Sequence, residues 1–457
     1  MPDSGAVGPT AANDQTDIPS GFRMTEIGPL PTHWEIFILA DLFDIQQGQS
    51  LSPKRRQGRS PRPFLRTANV LWGQIDLSVL DRMDFSDEEA ERLALKVGDL
   101  LVCEGGEIGR TALWRGEFDG CCYQNHLHRL RARTQYVEPE FYAYWMQAAW
   151  LHFGLYAGQG NRTTIPNLSR SRLGNFPVPC PPLEEQRAIA RVLRTVQRAK
   201  EATEKVIAAT RELKKSLLRH LFTYGYCTVQ MATAVELAHS DIGAIPASWK
   251  VVAVSNVARL ESGGTPPKGD ASLWSGDLPW ASPKDLKRLR LNDTEDHITP
   301  AAAEAHSKIV PAATILIVVR GMILAKEIPV CMITRAAAFN QDIKAVLPAP
   351  EVNPDFLLHA LVWRRHALVS QVGTSAHGTR RLSTSAVADL KIPFPDPVEQ
   401  RRLVRALNAV EAKLDVELQR CSAIGQLFES LLSGLLTGAL RALQDTGFRL
   451  KRDGARG

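Results

Sequence analysis

Apolar or small residues recur at alternating three- and four-residue steps along two stretches of the chain. The first stretch gives Ile189, Val192, Val196, Ala199, Thr203, Val206, Thr210, Leu213 and Leu217. The second gives Leu403, Leu407, Val410, Leu414, Glu417, Cys421, Ile424, Phe428, Leu431 and Leu435. Such steps are heptad seams, and two of them in one chain predict two long helices packed as a coiled coil. About 40 residues at 1.5 Å rise make an arm of roughly 60 Å. That is too long to lie on one small globular domain, so a stiff spacer is favoured over two separate amphipathic helices.

Both helices open alike, with "PPLEEQRAIARVL" from Pro181 and "DPVEQRRLVRAL" from Asp396. In the second, Asp396 is placed to cap, Pro397 suits the first helical position, and Glu399 completes a capping-box-like start. The first keeps Pro182 and the acidic pair Glu184 and Glu185, which favour the positive end of the helix dipole, but has no capping side chain. Ahead of each helix, short apolar runs broken by Gly, Pro, Asn and Asp predict strands, as in "GDLLVCEGG" and "ATILIVVRG". A shorter helix follows them in each case, "PEFYAYWMQAAWL" or "PDFLLHALVWRRHAL".

These likenesses belong to one long duplication. "IGPLPTHWEIFILADLFDIQQGQS" from Ile27 matches "IGAIPASWKVVAVSNVARLESGGT" from Ile242, pairing Trp34 with Trp249 and Gly48 with Gly263 at an offset of 215. "LLVCEGGEIG" and "ILIVVRGMIL" keep that offset, "YQNHLHRL" and "FNQDIKAV" shift it to 216, and "VEPEFYAYWM" and "VNPDFLLHAL" return to 215. "FPVPCPP" from Phe176 is answered by "IPFPDP" from Ile392. An offset held to within one residue over so many segments marks two tandem copies of a whole unit.

Composition adds limits. The chain has 457 residues, 44% hydrophobic and 23% charged, ordinary values for a protein of two or three cored domains. No apolar run approaches the roughly 20 residues that span a bilayer, so no membrane association is expected. The first twenty residues lack a basic start with an apolar stretch and read as a disordered leader. Seven cysteines without a Cys-x-x-Cys pair argue against a disulfide framework or structural zinc, and for a reducing cytoplasm. The net charge of +6 is mild, but residues 183–226 hold ten Lys/Arg against five Asp/Glu. Residues 21–182 balance, yet Lys54, Arg55, Arg56, Arg59, Arg62 and Arg66 cluster in one loop, which fits local phosphate contacts.

No catalytic engine is visible. The chain lacks a phosphate loop, a G-x-G-x-x-G turn, a G-x-S-x-G elbow and an H-E-x-x-H helix. "NPDF" at Asn353 has no second proline and is a helix start rather than part of a methyltransferase signature. His126 and His128 near Cys121 and Cys122 alternate as one face of a strand does, so no metal site is expected. Asp87, Glu88, Glu89 and Glu91 read as a solvated helix start.

What remains is a pair of polar loops per copy, alike in place and different in content. One pair is "QQGQSLSPKRRQGRSPRPFLRTANV" and "ESGGTPPKGDASLWSGDLPWASPKDL"; the other is "YAGQGNRTTIPNLSR" and "VGTSAHGTRRLSTS". Arg and Lys can be bidentate to guanine and Gln or Asn to adenine, while Ser, Thr and backbone amides hold phosphates. On that chemistry the candidate DNA-contacting residues are Gln49, Lys54, Arg55, Arg56, Arg66, Gln159, Asn161, Arg162 and Thr163 in the first copy. In the second they are Thr265, Lys268, Lys284, Lys287, His377, Thr379, Arg380 and Arg381. Two readings compete with DNA recognition on residues alone: a coiled-coil scaffold that binds only proteins, and a nuclease with scattered metal carboxylates.

The order of β-rich domain, long helix opening in P-x-x-E-Q, second β-rich domain and second such helix resembles the specificity subunit of Type I restriction–modification systems. The resemblance runs from about Ile27 to Leu440. It implies an α+β chain with two tandem target-recognition domains, 21–182 and 236–396, separated by conserved helices 183–226 and 397–440 packed as an antiparallel coiled coil. A leader (1–20), a linker (227–235) and a basic tail (441–457) complete that layout, which carries a pseudo-twofold. It further implies a non-catalytic subunit that reads a bipartite, asymmetric site on double-stranded DNA, with the long arm suiting contacts a helical turn of roughly 34 Å or more apart. The implied partners are two methyltransferase subunits that use S-adenosylmethionine to methylate adenine, and motor-nuclease subunits that use ATP and Mg. No cofactor is implied for this chain itself. In the second copy "RGMILAKE" replaces "GGEIGR", which loses one glycine of the turn.

Overall fold

A computed structural model describes residues 18–56, 58, 61–156, 167–374 and 378–442. The expected leader lies almost wholly outside the described residues, as does most of the basic tail. The chain forms two compact units, and neither is a contiguous half of the sequence. One comprises residues up to Thr203 together with those from Arg420 onward, and the other runs from Glu204 to Gln419. Each unit therefore takes one β-rich body and part of both long helices, Leu183–Tyr224 and Pro397–Leu436.

In unit 1 a four-stranded antiparallel sheet has the order Thr111–Leu113, Leu100–Cys103, Leu127–Ala132, Phe43–Gln47. A smaller sheet pairs Cys122–Tyr123 in parallel with Pro61–Leu65, which pairs antiparallel with Asp81–Asp84. The helix Pro139–Leu151 has Pro at its first turn and buries Phe141, Tyr142, Trp145 and Met146. Its face packs in one core with Ile189 and Leu193 of the first long helix and Leu431, Leu432, Leu435 and Leu436 of the second.

Unit 2 repeats the plan. Its main sheet runs Ala258–Ser262, Ile343–Pro348, Ile315–Val318, Val330–Ile333, Arg290–Leu291, and a second sheet runs Asp296–Ile298, Leu278–Ala281, Ala337–Phe339, Ile309–Val310. The helix Pro354–Arg364 buries Phe356, Leu357, Leu358 and Leu361. Lys214 pairs with Glu411, while the later Leu221 and Phe222 share a core with the earlier Leu403 and Leu407. The two long helices are therefore antiparallel.

The repeated "E-Q" has a physical cause in each unit. Gln186 is fully buried: its Oε1 accepts from the Glu138 amide at 2.9 Å and its Nε2 donates to the Pro181 carbonyl at 2.8 Å. Gln400, 1% exposed, accepts from the Asn353 amide at 3.2 Å and donates to the Pro395 carbonyl at 3.0 Å. Glu138 and Asn353 are the N-caps of the shorter helices. One amide thus joins the start of each long helix to the start of a shorter one. The preceding glutamates tie down other groups. Glu185 accepts from the Trp34 indole and His33 ring, each at 3.1 Å, and Glu399 accepts from the Tyr226 amide at 2.7 Å.

Two expectations need correction. Asp396 caps as expected, its Oδ1 accepting from the amides of Val398 and Glu399, but Glu399 spends its carboxylate on Tyr226 rather than closing a capping box. The seam of the second long helix follows the predicted positions, with Leu403, Leu407, Leu414, Glu417, Leu431 and Leu435 buried. On the first helix Ile189, Thr203 and Thr210 are buried, but Leu193 and Ile207 replace Val192 and Val206, and Leu213 is 56% exposed. Three- and four-residue steps fit either neighbour when both are apolar, and the partner's knobs select one.

Two predictions follow from these buried polar groups. Gln400→Met keeps the volume but strands the Asn353 amide and the Pro395 carbonyl, so a loss of about 1–3 kcal/mol is expected in urea unfolding; an unchanged midpoint would contradict the pinning role. Fully buried His359 donates from Nε2 to Asn408 at 3.0 Å, Nδ1 has no partner, and burial lowers its pKa below the usual 6.5. The unfolded chain takes up that proton first, so stability holds above pH about 6.5 and falls on acidification toward the folded pKa. His359→Gln, which still donates but does not titrate, is expected to flatten that acid limb; equal limbs in both proteins would refute the assignment.

Candidate nucleic-acid interface

At one end of each main sheet, three chain segments converge. In unit 1 they follow the strand Phe43–Gln47, follow Leu100–Cys103, and precede Leu127–Ala132. The Gly48 amide donates to the Leu127 carbonyl at 3.1 Å, and the Gln49 amide to Tyr123 at 3.0 Å. A Cβ on Gly48 would lie 2.3 Å from the Gln124 carbonyl oxygen, and one on Gly263 would lie 2.0 Å from that of Phe339. Neither position tolerates a side chain, which accounts for the repeated glycine.

The side chains gathered there in unit 1 are polar. Gln47 Nε2 donates to Glu104 Oε2 at 2.8 Å and to the Asn125 carbonyl at 2.9 Å, and His126 Nδ1 lies 3.9 Å from Glu104 Oε2. Buried His128 reaches the Leu168 carbonyl at 2.8 Å through Nε2, while the Leu168 amide donates to the Glu104 carbonyl at 2.8 Å. Leu168 thereby returns the polar loop that precedes it to this end of the sheet. Four candidates within that loop, Gln159, Asn161, Arg162 and Thr163, lie outside the described residues.

In unit 2 the same end carries different groups. Thr265 donates to Gln341 at 2.5 Å, Lys344 to Ser262, and Arg320 lies 3.8 Å from Asp342. Leu382 repeats the anchoring role, its amide donating to the Val319 carbonyl at 2.8 Å. The hairpin strands Gly373–Thr374 and Arg380–Arg381 precede it, with Arg380 donating to Thr374 at 2.8 Å and Arg381 bridged to Arg320. His377 lies outside the described residues; Thr379 and Arg380 are half-buried and Arg381 is exposed.

The other candidates fall into two groups. Lys54, Arg56 and Lys268 are exposed. The loop holding the first two is a short helical turn, Pro53–Arg56. Its middle residue, Arg55, makes a two-pronged pair with Glu89 at 2.8 Å on each prong, and Gln49 donates to the same carboxylate at 2.7 Å. These bonds pull Glu89 down to about 2 and raise Arg55. Glu89 is therefore not the solvated residue its acidic neighbours implied. Arg66 sits 3.3 Å from Asp81. Lys284 lies 3.0 Å from both Glu295 and Asp296, which raise its pKa, and Lys287 lies 3.5 Å from Glu295. Lys284 and Lys287 line a groove beside the long helices rather than the gathered polar end.

Gln47, Asn125, His126, Arg320, Gln341 and Lys344 belong to the gathered ends and were missed as candidates. For Asn125, His126 and Gln341 the signal was present in "YQNHLHRL" and "FNQDIKAV", where they precede matched strands at one register.

Comparison with known proteins fits this architecture. Residues 31–210 and 246–425 each match the Type I restriction modification DNA specificity domain. The chain is 30% identical over 272 residues to the Escherichia coli EcoR124I/EcoR124II specificity subunit, a match covering 58% of this chain and 61% of that relative. It is 23% identical over 434 residues to a putative MjaX specificity subunit of Methanocaldococcus jannaschii, covering 92% and 96%. The crystal structure of an S subunit from M. genitalium shares the fold with a TM-score of 0.59 at 17% identity, over 88% of this chain and 96% of that one. With two copies of the domain covering most of its length, the chain belongs to the family of Type I restriction–modification DNA specificity subunits.

Proposed function

We propose that the protein is the non-catalytic specificity subunit that directs adenine methylation and ATP-dependent restriction to a bipartite, asymmetric DNA site. Two methyltransferase subunits, using S-adenosylmethionine, and motor-nuclease subunits, using ATP and Mg, supply the chemistry, and the assembly works in the cytoplasm. Regions 21–182 and 236–396 each read one half of the site. The helices within 183–226 and 397–440 fix the unspecified gap between the halves.

One observation carries this reading. Two copies of a framework keep the same backbone contacts at the gathered sheet end and change the side chains presented there. Gln47, Asn125 and His126 in unit 1 stand against Ser262, Gln341 and Asp342 in unit 2, with Arg320 and Lys344 added. Amides of Gln and Asn suit adenine, and Arg or Lys suits guanine. Different side chains on one framework are what two different half-sites require. The exposed Lys54, Arg56 and Lys268 serve as phosphate contacts.

The test is methylation by this chain co-expressed with the methyltransferase encoded beside it, mapped genome-wide by single-molecule sequencing. A bipartite motif is expected, with one half changing when residues 21–182 are exchanged for a homologous domain. No methylation, or a motif indifferent to the exchange, would leave the protein-only scaffold in its place. Within the second half, Arg320→Ala is expected to relax one base position at a cost of about 1–3 kcal/mol, whereas Lys268→Ala weakens all sequences alike. A uniform effect of both substitutions would remove Arg320 from the reading set.

A further inference from the structure

The duplication supplies an internal control for surfaces outside the gathered sheet ends. In unit 1 the hairpin strands Val70–Leu71 and Gln74–Ile75 are tied to the first long helix. Gln74 donates to Glu201 at 2.7 Å, Gln197 to the Gly73 carbonyl at 3.4 Å, and Tyr144 to Gln197 at 2.9 Å. In unit 2 Arg290, in the place of Gln74, reaches Asn408 of the second long helix at 3.3 Å, and beside that tie lies an open groove of about 1290 Å³. Its lining includes Arg211, Lys215 and Arg219 from the first long helix and Arg288 and Arg365 from the body, against three acids, Glu327, Asp415 and the Lys214-paired Glu411.

The helix residues stand four apart, a stripe with a step of about 6 Å. Among the described residues no hydrogen bond or ion pair holds the side chains of Arg211, Arg219, Arg288 or Arg365, whereas Arg259, Arg290, Arg335 and Arg364 are held by carboxylates or carbonyls. The offset of 214 that relates Gln186 to Gln400 sets Gly425, Glu429 and Ser433 opposite Arg211, Lys215 and Arg219. By the offsets of the bodies, 216 and 215, Trp72 and Trp150 stand opposite Arg288 and Arg365. No cation is repeated.

Four unpaired guanidinium groups around one concavity call for an anion. The groove is continuous with the gathered sheet end of unit 2, because Gly321, which lines it, follows Arg320 directly and donates its amide to the Arg380 carbonyl at 3.1 Å. We infer that this groove is a sequence-independent clamp for the DNA phosphate backbone, built into the second unit alone, so that the two half-sites are held unequally. The inference rests on the proposed DNA-reading role and adds to it a site that reads no bases. Each arginine neutralises a phosphate and releases condensed counterions, which gives affinity and salt dependence without specificity.

The test uses the full chain and a labelled random-sequence duplex of about 30 base pairs, titrated from about 50 to about 200 mM salt. The double variants Arg211→Gln/Arg219→Gln and Arg288→Gln/Arg365→Gln are each expected to weaken binding about tenfold and to lower the slope of log K against log salt by about 2. Arg401→Gln/Arg405→Gln, also on a long helix but outside the groove, serves as the control and is expected to keep the wild-type slope. Thermal melting checks that the variants fold. A groove variant that folds and keeps the wild-type slope overturns the clamp alone. So does one that binds DNA normally but no longer assembles with the methyltransferase, which would make the occupant an acidic protein segment. Absence of duplex binding by the wild-type chain at any salt overturns the DNA-reading role and the clamp with it.

Discussion

The architecture depends on one buried amide in each half of the duplication. A long helix with an apolar seam can slide along or lift away from a β-rich body, because dispersion contacts are individually weak and non-directional. A buried amide with directional partners cannot slide without leaving a donor and an acceptor unpaired, at about 1–3 kcal/mol for each group. Gln186 and Gln400 set the angle and register at which each long helix leaves its body. They do so by engaging the N-caps of the shorter helices, which in turn carry the aromatic and leucine-rich faces of the two cores. The ion pairs around buried Glu140, 2.6 Å from Arg115 and 3.1 Å from Arg194, reinforce that junction in unit 1. In unit 2, Asp355 and Asn408 meet the same demand through Arg290.

Much of this was legible in the residues because the duplication repeats whatever the fold requires. Repeated glycines marked positions where a Cβ meets a carbonyl, repeated prolines marked helix starts, and the repeated E-Q marked the pinned junction. The seam was half legible. Ile189, Thr203 and Thr210 are buried as expected, while Leu213 is exposed, and the choices of Leu193 over Val192 and Ile207 over Val206 depend on the partner helix, which no local pattern encodes. The fate of charges was the least legible. Arg55 and Glu89 are 34 residues apart in sequence, and nothing local to either announces a two-pronged pair. A cluster of basic residues thus divides into members that build the body, Arg55 and Arg66, and members left to solvent, Lys54 and Arg56.

That division governs which side chains are available to a polyanion. For Arg55 to reach DNA it must first leave two charge-assisted bonds and strand a carboxylate that Gln49 also engages, and a phosphate in water offers little more than Glu89 already does. Lys284 is held in the same way between Glu295 and Asp296. Arg211, Arg219, Arg288 and Arg365 have no such partner among the described residues. Availability, more than the mere presence of positive charge, separates the two sets.

The same reasoning explains why a duplicated reader can diverge without losing its fold. The contacts that hold the gathered sheet ends together are largely backbone to backbone: Gly48 to Leu127, Leu168 to Glu104, Leu382 to Val319. The side chains at these ends bond to one another instead, and Gln47, Asn125 and His126 give way to Ser262, Gln341 and Asp342 without loss of those backbone contacts. A surface whose geometry is fixed by amides and carbonyls, and whose chemistry is set by replaceable side chains, can change what it presents by substitution alone.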